Sequence, residues 1–236
     1  MPRRAHDFRG LTQPRRLLLL RVVQEMPGRS AGALAKESGI PLNTVRDHLR
    51  VLEDEGLIRS ETQRDGTRGR PPVTFHPVRD AASSAVAATR VEGAISRGRT
   101  YRKATGEQPL VGADAMRQLD VLYEHLDDAG LEPIIDEQSL RFDLAPCRYH
   151  GLLDEDQELV CGVHAQLVRD VLELSDGPLQ VQRLEPFVTS HSCRLLLTLS
   201  SSDDDGTAAT TAHDPRAAGA DAVRSPGASE GRRIQG

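Results

Sequence analysis

An α+β fold, mainly α, is what this 236-residue sequence predicts. Three observations lead there. Apolar residues recur at three- and four-residue spacing over several long segments, the period of a helix with one buried face. Aromatic residues make up only 3% of the chain and Trp is absent, so the core must be Leu, Val, Ile and Ala, which suits packed helices. Between the helical segments lie short strand-like runs bounded by Gly, Pro and Asp-Gly.

Residues 1–10 read as a polar, flexible arm. Thr12 to Glu25 places Leu17, Leu18, Leu20, Val22 and Val23 among arginines, a helix with a broad apolar stripe, and Pro27-Gly28 breaks it. Ser30 caps a short helix through Ser38 that buries Leu34 and Ala35. Gly39 supplies a turn and Pro41 presets the chain for the next helix, whose Val45, Leu49 and Leu52 form one buried face. Gly56 stops that helix. Leu57-Ile58 open a strand, Asp65-Gly66 marks a hairpin turn, and Val73 to His76 return as a second strand. Two short helices about a tight turn, then a charged hairpin, are the plan of a winged helix-turn-helix over residues 11–80.

Residues 81–112 read as a connecting helix, Asp80 to Ile95, and a polar linker, Arg97 to Gly112. Residues 113–199 read as a small α+β domain that holds all three cysteines. Ala113 to Ala129 is a helix ended by Gly130, and Leu131 to Leu144 holds two short strands around Asp136 to Ser139. Leu152 to Leu174 is a helix with Leu159, Val163, Leu167 and Val171 on one face; Val181 to Leu184 and Cys193 to Leu199 are strands. From Ser200 the chain lacks apolar bulk to offset the entropy of ordering, which predicts a disordered tail over 200–236.

The net charge of −5 hides an asymmetry. Residues 1–80 hold 15 Arg and Lys against 10 Asp and Glu, a net of +5, while the remainder holds 15 against 25, a net of −10. Only the front is suited to phosphate. No run of about 18 apolar residues exists to span a membrane. No apolar stretch with a small-residue cleavage site follows the basic Met1–Arg4, so the expected location is cytoplasmic. Three cysteines in such a chain argue against a disulfide framework and leave metal, redox or core roles.

In a helix-turn-helix the second helix enters the major groove of double-stranded DNA. Its exposed positions here are Asn43, Thr44, Arg46, Asp47, His48 and Arg50. Asn can pair bidentately with adenine and Arg with guanine, whereas Asn43 and Thr44 at the helix start can hold a phosphate instead. Arg64, Arg68 and Arg70 on the hairpin tip are placed to reach a minor groove or the backbone. The competing role for Arg46 and Arg50 is to solvate the helix, pairing with Asp47 and Glu53.

Ala33-Leu34-Ala35, Gly39-Ile40, Thr44-Val45-Arg46, His48-Leu49, Leu52-Glu53 and Glu55-Gly56-Leu57-Ile58 resemble the winged helix-turn-helix of the ArsR/DeoR-like bacterial repressors. Gly69-Arg70-Pro71-Pro72 is similar to their wing. One departure is Pro41, where many relatives carry a Ser cap. The resemblance spans about a quarter of the chain and implies DNA binding.

The rear holds Ala145-Pro146-Cys147-Arg148-Tyr149, then Leu159-Val160-Cys161-Gly162-Val163-His164, Glu185-Pro186-Phe187 and Ser192-Cys193. Thiols from a loop, a helix and a strand can converge, and thiolates suit zinc, copper(I) or iron–sulfur clusters. A closed zinc site or fully ligated cluster needs a fourth ligand, for which His164, three residues after Cys161, is a candidate beside His150 and His191. The plain alternative is that the cysteines are small hydrophobes in the core.

This segment resembles the SufR-type iron–sulfur repressors. The resemblance implies a homodimer that represses iron–sulfur assembly genes while its cluster is present, with Cys147, Cys161 and Cys193 as the matching ligands. Cys147-Arg148-Tyr149 departs from the Cys-Pro-Phe of many relatives, and the fourth cysteine some carry is absent. Zinc or thiol-redox sensing, or an organic effector with structural cysteines, are the other readings. The chain is not expected to be an enzyme. Its acidic runs, Asp154-Glu155-Asp156 among them, read as solvated faces, and Gly93, Gly98 and Gly106 lack the spacing of a phosphate loop.

Overall fold

The structure is a computed structural model that describes residues 9–62, 71–147 and 150–200; the arm before residue 9, the Asp65-Gly66 turn and the tail from residue 201 lie outside it. It is α+β and mainly helical, as expected. A 3-10 turn, Arg9–Thr12, leads into α1 (Pro14–Glu25), β1 (Arg29–Ser30), α2 (Ala31–Ser38), α3 (Leu42–Asp54), β2 (Ile58–Thr62) and β3 (Val73–Pro77). Then come α4 (Ala85–Thr105), α5 (Ala113–Asp128), β4 (Pro133–Asp136), β5 (Arg141–Leu144), α6 (His150–Glu173), β6 (Leu179–Thr189) and β7 (Ser192–Leu199). Two antiparallel sheets form, one in the order β1-β3-β2 and the other β4-β5-β7-β6.

A continuous set of buried side chains runs from Leu11 to Leu197 and joins the winged helix-turn-helix to the rear. At its centre is α1, in which Leu17, Leu19, Leu20 and Val23 are fully buried. It packs against α2 and α3 on the DNA-reading side and against α6 on the other. The apolar stripe is broad because two neighbours cover it. Complete burial of each such side chain stabilises by about 1.5–3 kcal/mol.

The helix expected to end at Ile95 continues to Thr105 and takes in most of the segment read as a linker. Two of its arginines reach α5. Arg102 forms a two-pronged pair with Asp120 at 2.6 and 2.8 Å, and Arg97 pairs with Glu124. At Gly98 an added Cβ would lie 2.0 Å from Asp120 Oδ1, so this glycine is what lets the Asp120 carboxylate sit against α4. Charge and glycine, read as loop signals, form the seam between two helices.

Gln118 of α5 is 2% exposed and fastens three elements. Its Nε2 donates to Leu172 O of α6 at 2.9 Å and to Leu179 O at 3.4 Å, while its Oε1 accepts from Leu179 N at 2.7 Å. The backbone of α6 departs from helical geometry at Asp156 (φ −158°). The Asp156 carboxylate accepts from Leu159 N at 2.9 Å and so caps the segment that follows. The acidic run read as a solvated face therefore supplies a helix start. Leu159, Val163, Leu167 and Val171 are all buried, as their spacing predicts. Among the described residues no helix is long and apolar enough to cross a membrane.

Candidate nucleic-acid interface and cysteine cluster

The turn between α2 and α3 is built from side chains the sequence makes conspicuous. Ser30 Oγ accepts from Ala33 N at 3.3 Å and caps α2. Ser38 Oγ donates to Leu34 O at 2.7 Å and accepts from Ile40 N at 3.3 Å, closing the other end. Gly39 there has φ +67°, a conformation open to glycine at no steric cost. Pro41 offers α3 no side-chain cap, although its carbonyl accepts from Val45 N at 2.9 Å.

One face of α3, Val45, Leu49 and Leu52, is buried to 1% exposure or less. The opposite face presents Asn43, Arg46, Asp47 and Arg50 exposed, with Thr44 and His48 half-buried at its margins. Arg46 Nη1 donates to Asn43 Oδ1 at 3.2 Å, and Arg50 lies 3.6 Å from Asp47 with both side chains 73% exposed. Exposed pairs of this kind are worth about 0–1 kcal/mol, so both guanidiniums can exchange these partners for a phosphate or a base edge at little cost. Burial, and then the positive charge of Arg16, hold the His48 imidazole below its usual pKa.

Glu53 is not a partner for the recognition arginines. Its Oε1 accepts from Ser60 N at 3.0 Å and Ser60 Oγ at 2.6 Å, tying the last turn of α3 to β2 and setting the wing relative to the reading helix. Arg64, Arg68 and Arg70 lie outside the described residues.

The rear brings its three cysteines together from three elements. Cys147 follows β5, and its N–H donates to His191 O at 2.8 Å. Cys193 is in β7, opposite Leu144 of β5. Cys161 sits on α6, five residues after the Asp156 cap. All three are free thiols and half-buried. The Cys147 thiol hydrogen-bonds the Cys193 sulfur and pulls its pKa down to about 6; burial opposes this, and the Phe187 N–H assists it. That amide reaches the sulfur from a bulged stretch of β6, where Phe187 itself takes φ +57°, a strained conformation for an aromatic residue. Burial, followed by the neighbouring Cys193 sulfur, pushes the Cys161 thiol up.

His164 neighbours His125 of α5. Burial lowers its pKa to about 4, and burial followed by the proximity of His164 and Arg90 lowers that of His125 to about 3. Both rings are neutral at pH 7. Among the described residues no three His, Cys, Asp or Glu side chains form a group that could hold one metal ion as they stand. The side chains of residues 148–155, His150 included, lie outside the description.

Sequence reasoning named Glu53, Phe187 and Asp156 without finding their roles, and passed over a buried carboxylate on α6, Asp170. Only Asp156 carried a local signal, an acidic residue three positions ahead of an apolar helical run.

The sequence profile of the helix-turn-helix domain family matches residues 11–61. The chain is 33% identical over 82 residues to the HTH-type transcriptional regulator YgaV of Escherichia coli strain K12, a match that covers 35% of this chain and 76% of that protein. Among solved structures, the crystal structure of a predicted DNA-binding transcriptional regulator from E. coli is 34% identical over 34% of this chain and 77% of that one, with a TM-score of 0.25.

Proposed function

Since the chain belongs to the family of helix-turn-helix transcriptional regulators, we propose that it is a cytoplasmic, homodimeric repressor, without enzymatic activity, whose hold on DNA follows the state of Cys147, Cys161 and Cys193. The observation that carries this reading is that these thiols, scattered over 47 residues of sequence, meet beside α6, the helix that packs against α1 of the DNA-reading half.

The donor set suits an iron–sulfur cluster. Thiolates are the ligands such clusters take, and one of the three is already drawn toward its thiolate form at neutral pH. Thiolates that ligate separate irons need not meet at a single metal ion. Cys147, Cys161 and Cys193 would hold the cluster, and His164, neutral at pH 7 and three residues beyond Cys161, is offered as a further ligand. The cluster would supply a group that oxidants can remove. The chain's own part is to hold β5, β7 and α6 together through it, and thereby to set the spacing of two recognition helices in a dimer on adjacent half-sites.

A second reading, direct thiol-redox sensing, is favoured by the Cys147–Cys193 hydrogen bond and the depressed Cys193 pKa. Iron, sulfide and zinc analysis with an absorption spectrum on protein purified without oxygen decides between them. Iron and sulfide in equal amounts, lost in Cys147→Ser, support the cluster. Metal-free protein whose affinity for DNA falls on oxidation supports the thiol pair and overturns the cluster.

A further inference from the structure

The helix α6 makes its two functional attachments on opposite faces. Cys161 lies at the cysteine cluster, and Asp170 is nine residues further on. At helical geometry that is about two and a half turns, so the two side chains point in opposite directions roughly 13 Å apart along the axis.

Asp170 is 3% exposed. Its Oδ1 accepts from Arg79 Nε at 2.8 Å and from Gln166 Nε2 at 2.9 Å, and its Oδ2 accepts from Gln24 Nε2 at 3.3 Å. Gln24, itself buried, lies in the last turn of α1, and Arg79 follows β3 by two residues at the root of the wing. One carboxylate of the rear half thus holds the end of α1 and the root of the wing. Beside it is a cavity of about 50 Å³, lined by Leu57, Val78, Val91, Leu167, Asp170 and Val171 among others. Stranding a buried carboxylate is strongly unfavourable. A displaced α6 therefore either takes Gln24 and Arg79 with it or exchanges the bonds as a set.

We propose that Asp170 is the positioning residue that relays the state of the cysteines to the recognition helix. A change at Cys161 moves α6 as a rod, and Asp170 carries the movement into α1 and the wing root. The relay rests on the regulator reading above but does not require that the cysteines hold iron.

The test uses the full chain and a duplex that the wild type selects from a random-sequence pool. Affinity is measured by fluorescence anisotropy for the reduced chain and for the chain alkylated with iodoacetamide. In the wild type the two affinities should differ by about fivefold or more, the lower end of ordinary allosteric coupling. Asp170→Asn should bring them within about twofold of each other, while the reduced variant still binds the duplex and takes up the same amount of iodoacetamide. Asp170→Glu, which restores a carboxylate, should recover part of the difference. If Asp170→Asn fails to fold, Arg79→Gln, altering a half-exposed partner of the same carboxylate, should give the same loss of coupling. A full wild-type difference retained in Asp170→Asn or Arg79→Gln would overturn the relay, and so would equal affinities of the reduced and alkylated wild type. Iron analysis reports on the cluster separately, so either idea can fail without the other.

Discussion

The front and rear of this molecule make their sites in opposite ways. The candidate DNA-reading face is a row of side chains on one helix, all within Asn43–Arg50, exposed or half-buried and backed by a buried stripe. The cysteine cluster takes a single residue from each of a loop, a helix and a strand, and keeps all three half-buried. A face made by one helix depends on local geometry and survives small shifts of its neighbours. A site made by three elements exists only while they stay packed, which makes it a reporter of their arrangement. The difference suits a reader at one end and a sensor at the other.

The comparison breaks most readily if the two halves prove to be independent. They share one core, so Leu17→Ala in the front and Leu167→Ala in the rear should each lower a single calorimetric transition, by about 2–5 kcal/mol in stability. Two separate transitions, each moved by only one of the substitutions, would dismantle the shared core.

Gln118→Leu comes next. It removes an amide that bonds the backbone of α6 and β6, leaving buried donors and acceptors unmatched at about 1–3 kcal/mol each. Its mark should fall on the rear: hydrogen exchange should quicken in β6 and the end of α6, with the amides of α2 and α3 unaffected.

Arg46→Ala or Arg50→Ala should leave thermal stability within about 0.5 kcal/mol of wild type, as expected of exposed residues. Either should weaken binding to the selected duplex by about 1–3 kcal/mol if it contacts a base edge, with relaxed preference at one position. A uniform loss across sequences, with a shallower salt dependence, would assign that arginine to a phosphate instead.

The smallest effect is on proton binding. In metal-free protein, alkylation of Cys193 should reach half its maximal rate near pH 6 rather than at the usual thiol value, and Cys147→Ala should move that midpoint upward. The sign for stability follows. A pKa lowered by folding means the unfolded chain binds more protons between pH 6 and the ordinary thiol value of about 9, so this thiol's contribution grows with pH over that interval and is absent below it. A midpoint unchanged by Cys147→Ala would remove the Cys147 hydrogen bond as the cause.

The legibility of the sequence follows the same division. Ser30, Gly39 and the Val45, Leu49, Leu52 stripe act through neighbours a few residues away, and each does what its spacing predicts. The helices and strands of the rear were legible for the same reason. What escaped were pairings between distant elements. Arg97 and Arg102 look like linker residues until Glu124 and Asp120 are brought against them. Asp170 is one more acid in an acidic half until Gln24, 146 residues away, reaches it. Phe187 gives no sign of its positive φ, because the bulge in β6 that sets it is a property of the paired strands. The cysteines were conspicuous by type, but that Cys193 would be the acidic member depended on which sulfur the Cys147 thiol and the Phe187 amide meet.

The burial of α1 on two sides bears on how such a chain could be recombined. A reading module is commonly imagined as a cassette that can be cut out and joined to another sensor. A cut near residue 80 would leave α1 without α6, baring leucines and valines to solvent and depriving Gln24 of its carboxylate partner. Such a fragment would tend to self-associate through the bared surface. A working graft would have to bring a substitute for α6, with an apolar face and an acid at the level of Gln24, so the natural unit of exchange is the reader together with the helix that covers it.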